Sequence, residues 1–154
     1  MAELTRDDLL EEARIERVLV RYASALDERD WAALDEVFVA EASALYHGIG
    51  SYSGREAIVA TVRQALAPCG RTQHLLGNVR ITLSGAEASA KCYLQAIHAG
   101  QGAYQGQTLT VWGEYRDQLE KRPEGWRIVH RELDVFQVSG DIGGTALAAD
   151  TPAP

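Results

Sequence analysis

The chain has 154 residues, 22 acidic against 15 basic, a formal charge of −7 and an apolar fraction of 46%. Length and apolar content suit a single domain with a real core. The charge is local: residues 1–41 hold 12 acids and 5 bases, and residues 42–154 hold ten of each. Such a chain offers no basic footprint for nucleic acid and no polybasic patch for a membrane. No apolar run approaches the ~20 residues of a spanning helix. Met1 to Glu12 is acidic and lacks the layout of a signal peptide. Two cysteines, Cys69 and Cys92, make no disulfide framework, so the expectation is a soluble, cytoplasmic protein.

In chain order, Leu9, Leu10, Ala13, Ile15, Val18, Leu19, Tyr22, Ala23 and Leu26 recur at three- and four-residue steps, which predicts a long first helix. Asp27 to Asp30 interrupts the stripe, and Asp30 is placed to cap a short second helix burying Trp31, Leu34, Val37 and Phe38. A short strand and turn follow over 43–52. Ser53-Gly54-Arg55-Glu56 reads as a capping box for a third helix that Pro68 and Gly70 end. From Arg71 the period becomes two, with strands near 71–83, 87–99, 107–121 and 126–138. Helices first and antiparallel strands after them predict an α+β fold with helices on one face of a curved sheet. Residues 1–138 form the expected domain; the Gly-, Ala- and Pro-rich stretch 139–154 reads as a loose or partner-packed tail.

Few residues carry chemistry. His98 continues the small apolar face of Ala88, Ala90, Cys92, Leu94 and Ala96, as a satisfied core histidine or as a cavity wall. Alternation puts His74 with Thr72, Leu76 and Asn78, a mixed face that suits a pocket with a few polar groups. Asp27 lies at the edge of the buried stripe, either as a solvent-exposed cap or as a pocket group. His47 alternates away from Tyr46, and His130 shares parity with Trp126 and Ile128; both read as structural. Zinc spacings, a dinucleotide-binding glycine motif and a nucleophile elbow are missing. Two His and a carboxylate also make a non-haem iron set, which nothing in the spacing favours.

Taken together, Tyr-Ala-x-Ala-Leu-Asp-x-x-Asp-Trp at the end of the first helix, the Gly54-Arg55-Glu56 start of the next and Thr72-Gln73-His74 before the long strands resemble the SnoaL-like families. These belong to the nuclear-transport-factor-two-like superfamily. The resemblance implies a cystatin-like cone of strongly curved antiparallel sheet closed by three N-terminal helices. Within the superfamily it runs nearest to the scytalone dehydratases, whose aspartate matches Asp27, whose two histidines match His74 and His98, and whose water-holding tyrosine matches Tyr46. Leu26 stands where those enzymes have a tyrosine, and their late-strand serine and asparagine have no counterpart around Asp117 to Leu119.

On that resemblance, Asp27 would hold His98, His74 would shuttle the proton, and Tyr46 would donate to a developing enolate oxygen. The implied activity is a lyase (dehydratase) or isomerase acting on a small hydrophobic cyclic or polyketide-like carbonyl compound, with no metal or organic cofactor. Tyr22, Ile49, Asn78 and Phe136 are expected to line the pocket, from parity and helix phase. The alternative is a non-catalytic ligand-binding or assembly subunit, such as a ring-hydroxylating dioxygenase β-like subunit. A homodimer or homotrimer is expected, as such sheets bury their outer face against a twin.

Overall fold

In the computed structural model, which describes residues 4–144, the acidic first segment is helix α1, Arg6–Glu28. Its start is set by a reciprocal cap that the sequence reading passed over. Thr5 Oγ1 accepts from the Asp8 amide at 3.1 Å, and the Asp8 carboxylate accepts from the Thr5 amide at 2.9 Å, so two end groups find partners. The buried stripe is shorter than the periodicity suggested: Ile15, Leu19, Tyr22, Ala23 and Leu26 are buried, whereas Leu9 and Leu10 are exposed. Arg29 closes the helix in the left-handed region, φ 59°, with its amide donating to the Ala25 and Leu26 carbonyls. Asp30 then caps as expected, its carboxylate accepting from the Ala33 amide at 3.2 Å.

What Asp30 caps is a short 3-10 helix, Trp31–Glu36. Two long helices therefore flank the sheet, α1 and α2 (Arg55–Leu66), and not the three expected. The predicted capping box at Ser53–Glu56 does not form. Ser53 ends a strand, Gly54 takes the N-cap position with φ 89°, and no side chain caps α2. A positive φ costs glycine nothing, and the chain uses that freedom to turn sharply from strand into helix.

The strands are β1 (Phe38–Tyr46), β2 (Gly50–Ser53), β3 (Cys69–Ser84), β4 (Glu87–Gly100), β5 (Thr108–Arg122) and β6 (Gly125–Gly140). They form one curved, unclosed sheet in the order β2-β1-β6-β5-β4-β3. The sheet is mixed and not wholly antiparallel, because β1 pairs with β6 in parallel. Strand β6 comes to lie beside β1 only after α2 and the β3-β4-β5 meander have intervened, and a parallel pair needs a crossover of that kind. The β6 strand runs slightly past the expected boundary, to Gly140. Most of the tail expected over 139–154 lies outside the described residues.

Three irregularities govern which side chains face inward, one of them an extra residue at Phe136 on β6, between the Val135–Gly113 and Gln137–Trp112 pairs. On β3 the register shifts between Gly77 and Arg80, with Asn78 at φ 49°. Leu76 packs on the core before it, and Val79, Ile81 and Leu83 do so after it. On β6, Ile128 pairs with Leu119 and His130 with Gln118, so Val129 is one residue in excess. Trp126 and Ile128 are buried before it, Arg131 and Leu133 after it. An extra residue reverses the alternation of everything beyond it.

Candidate active site

Between the helices and the inner face of the sheet lies a cavity of about 90 Å3. Its wall is mostly apolar: Leu26, Ile49, Val62, Leu66, Leu94, Ala96, Val111 and Leu133, with Thr61 and Ala65 from α2. The polar wall groups besides Thr61 are three tyrosines, Tyr22, Tyr46 and Tyr115, and two histidines, His74 and His98. Each arrives by a simple route. Tyr22 continues the buried stripe of α1, Tyr46 ends β1, His74 sits on the inward phase of β3 before its bulge, and His98 closes the small-residue face of β4.

The carboxylate of Asp27 stands behind His74 and is not part of the cavity wall. Its Oδ1 lies 2.6 Å from His74 Nδ1, and its Oδ2 accepts from the His74 backbone amide at 2.9 Å. The Thr72 hydroxyl donates to Oδ1 at 2.9 Å. Burial pushes the Asp27 carboxyl upward, but the His74 ring, the His74 amide and the Thr72 hydroxyl outweigh it and hold the group below the ordinary carboxylate value. An ionised Asp27 only accepts, so His74 keeps a proton on Nδ1, and in the neutral form of the ring the lone pair is on Nε2.

This corrects the expected partnership of Asp27 with His98. The end of α1 packs over β3, so the carboxylate reaches the histidine of that strand. His98 instead donates Nδ1–H to the Leu109 carbonyl at 3.1 Å. Burial, aided by the neighbouring His74, pushes its pKa below the usual histidine value. His98 is thus a neutral imidazole. The two rings meet edge to face with centroids 5.5 Å apart.

Tyr46 reaches the cavity fully buried, and its hydroxyl has no hydrogen-bond partner among the described residues. Burial raises its pKa well above the ordinary tyrosine value, so at neutral pH it is a donor without an acceptor. Tyr22 and Ile49 line the cavity as expected. Asn78 and Phe136 do not. Asn78 is the exposed bulge residue of β3. Phe136 is 57% exposed on the outer face: the extra residue at Val129 turns the even positions outward, and Phe136 is itself an extra residue, left between Val135, which pairs with Gly113, and Gln137, which pairs with Trp112.

Sequence reasoning missed an ion pair at the base of the site. Arg131 and Asp117 are fully buried, and Arg131 Nε and Nη2 each meet an Asp117 oxygen at 2.7 Å. The guanidinium lies 4.1 Å from the ring centroids of both Tyr22 and Tyr115, a stacking that favours a cation. Its Nη1 lacks a partner among the described residues. The available signal was the break in alternation after Ile128, which turns Arg131 inward. His47 Nε2 meets Glu132 at 2.8 Å and His130 Nδ1 meets the Ser43 hydroxyl at 2.7 Å, but the extra residue at Val129 takes His130 off the buried face it was expected to share with Trp126 and Ile128. Cys69 and Cys92 are buried free thiols. Among the described residues no three His, Cys, Asp or Glu side chains form a metal-holding group, and no helix is long and apolar enough to cross a membrane.

Comparison with known proteins agrees with this fold. The profile of the SnoaL-like domain matches residues 7–132. An uncharacterized protein of Mycobacterium tuberculosis is 32% identical over 134 residues, covering 84% of this chain and 89% of the relative. A crystal structure from Novosphingobium aromaticivorans, provisionally named a scytalone dehydratase, superposes with a TM-score of 0.81 at 25% identity, over 90% of this chain and 92% of that one. A hexachlorocyclohexane dehydrochlorinase of type LinA from Novosphingobium barchaimii shares the fold, with a TM-score of 0.77 at 18% identity over 89% and 94% of the two chains.

Proposed function

Since the chain belongs to the SnoaL-like family of the nuclear-transport-factor-two-like superfamily, we propose that it is a cofactor-independent lyase (a dehydratase) or isomerase acting on a small hydrophobic cyclic or polyketide-like carbonyl compound. The observation that carries this reading is the 2.6 Å contact between Asp27 and His74 on the wall of an apolar cavity. His74 Nε2 is the base that takes a proton from carbon next to the substrate carbonyl. Asp27 offsets the positive charge that then forms on the ring, as orienting carboxylates do. The electron pair moves toward the carbonyl oxygen, where the unpaired Tyr46 hydroxyl donates to it. In elimination the protonated His74 returns its proton to the departing hydroxyl, and water leaves as the double bond forms. In isomerisation the same proton goes to a second carbon.

The cavity bounds the substrate. Its volume of about 90 Å3 lies far below the ~300 Å3 floor of drug-sized sites, which favours a compound of about one ring. Leu26 occupies the place where the dehydratases have a tyrosine, yet Tyr22, one turn earlier on α1, brings a phenol to the same wall. Neutral His98 stands as a second acceptor for the substrate's hydroxyl. The exposed Leu75, Tyr93, Ile97 and Phe136 form the outer surface on which a homodimer or homotrimer would close, in a reducing cytoplasm that keeps both thiols free.

The test is turnover of a panel of cyclic β-hydroxy ketones by the parent, Asp27→Asn and His74→Gln. Loss of a general base costs ~10²–10⁴-fold in kcat. Near-parental rates in either variant remove that residue from the mechanism. A parent that binds panel members and turns none over is a ligand-binding domain of the same fold.

A further inference from the structure

We propose that Arg29 and Thr72 are positioning residues of this site, forming a one-way hydrogen-bond relay from Arg29 through Thr72 to Asp27 that holds the carboxylate in place for His74. The direction follows from donor chemistry. Arg29 Nη1 lies 3.0 Å from Thr72 Oγ1, and a guanidinium has donors only. The Thr72 oxygen therefore accepts from Arg29, and its single proton is left for Asp27 Oδ1 at 2.9 Å. Without Arg29 that hydroxyl is free to rotate toward any nearby acceptor.

Arg29 is itself held in place. Its Nη1 also donates to the Leu26 carbonyl, and its Nη2 donates to the carbonyls of Gly70 at 2.6 Å and Cys69 at 3.4 Å. One side chain thus stitches the end of α1 to the beginning of β3. Its backbone is left-handed, one of two non-glycine residues in that region among those described. Asparagine or glycine would end the helix at less strain, but neither reaches Thr72. Such an outlier persists where its surroundings over-determine it, and here four acceptors do so.

The charged and titratable groups around Asp27 are few. Arg29 follows the end of α1, His74 and Cys69 lie on β3, and His98 of β4 stands against the His74 ring. Glu28 and Arg71 are exposed. The catalytic consequence of the relay rests on the proton-transfer reading of His74; its structural content does not.

Nuclear magnetic resonance of the ligand-free protein tests the relay without any substrate. Thr72→Val keeps the side-chain shape and removes the hydroxyl, while Thr72→Ser keeps the hydroxyl. In Thr72→Val the carbon-13 titration of the Asp27 carboxyl moves to higher pH and the His74 Nδ1 proton exchanges faster with water. Thr72→Ser restores both. Arg29→Met shifts the same two signals in the same direction, and the double variant Arg29→Met/Thr72→Val shifts them no further than Thr72→Val alone. Thermal melting of each variant confirms that the fold is retained. Where a substrate is turned over, Thr72→Val lowers kcat about tenfold with KM unchanged, the worth of one hydrogen bond. Parental signals in Thr72→Val, or additive effects of the two substitutions, overturn the relay and leave Arg29 as a helix cap. An intact relay in a protein without turnover contradicts the enzyme reading instead.

Discussion

Substituting one member of the Arg131–Asp117 pair gives a prediction whose size the structure sets. Both side chains are essentially inaccessible, at 0% and 1%, and two 2.7 Å contacts join them. Asp117→Asn leaves a guanidinium buried between Tyr22 and Tyr115 without its counter-charge. Breaking a buried pair in this way costs about 3–5 kcal/mol. Each kcal/mol lowers Tm by roughly 2–4 °C in a chain of this size, so a drop of about 6–20 °C is expected. Replacing both members, as Arg131→Met/Asp117→Leu, removes the stranded charge and recovers most of the loss. The assay is urea unfolding with a double-mutant cycle, in which the singles cost more than the double. A loss of less than about 1 kcal/mol in Asp117→Asn would refute the reasoning, since surface pairs are worth that little.

Three further outcomes follow from the same structure. The Trp126 indole and Lys121 hold the Glu11 carboxyl down to about 2; a lowered folded value gives stability that is full above the ordinary glutamate value and lost as pH falls toward 2. Melting from pH 5 to pH 2 therefore falls more steeply for the parent than for Glu11→Gln, and parallel curves contradict the contact. Tyr46→Phe removes a buried hydroxyl that has no partner, so Tm holds or rises while kcat drops ~10²–10³-fold if that hydroxyl meets the oxyanion. Tyr93→Glu/Phe136→Glu puts charge on the outer face, and sedimentation should show smaller species than for the parent; an unchanged mass places the contact between copies elsewhere.

The long elements were legible because their signals are local. The four-residue steps before Asp27 and the alternation after Arg71 predicted α1 and strands β3 to β6 to within about two residues at most ends. The site residues were visible one at a time, as an acid at the edge of an apolar stripe and histidines on mixed or small faces. Their pairing was not visible, since alternation reports a face and not a neighbour. Asp27 meets His74 because α1 ends over β3, a fact of packing. Bulges hid the rest. Asn78 was counted inward because the extra residue that turns it outward lies at its own position, and the extra residues at Val129 and Phe136 brought Arg131 to the inner face and kept Phe136 off it. The parallel pairing of β1 with β6 joins segments some 90 residues apart, as Ser43 and His130 show, and no short-range pattern announces such a partner.

Proton exchange at carbon tests the central claim most directly. Panel ketones incubated in heavy water with the parent and with His74→Gln are followed by mass spectrometry for deuterium at the position next to the carbonyl. Abstraction by His74 should label the substrate or product in the parent and reduce labelling by ~10²–10⁴-fold in the variant. Labelling by His74→Gln at the parental rate, or none by a parent that binds the same ketones, would contradict it.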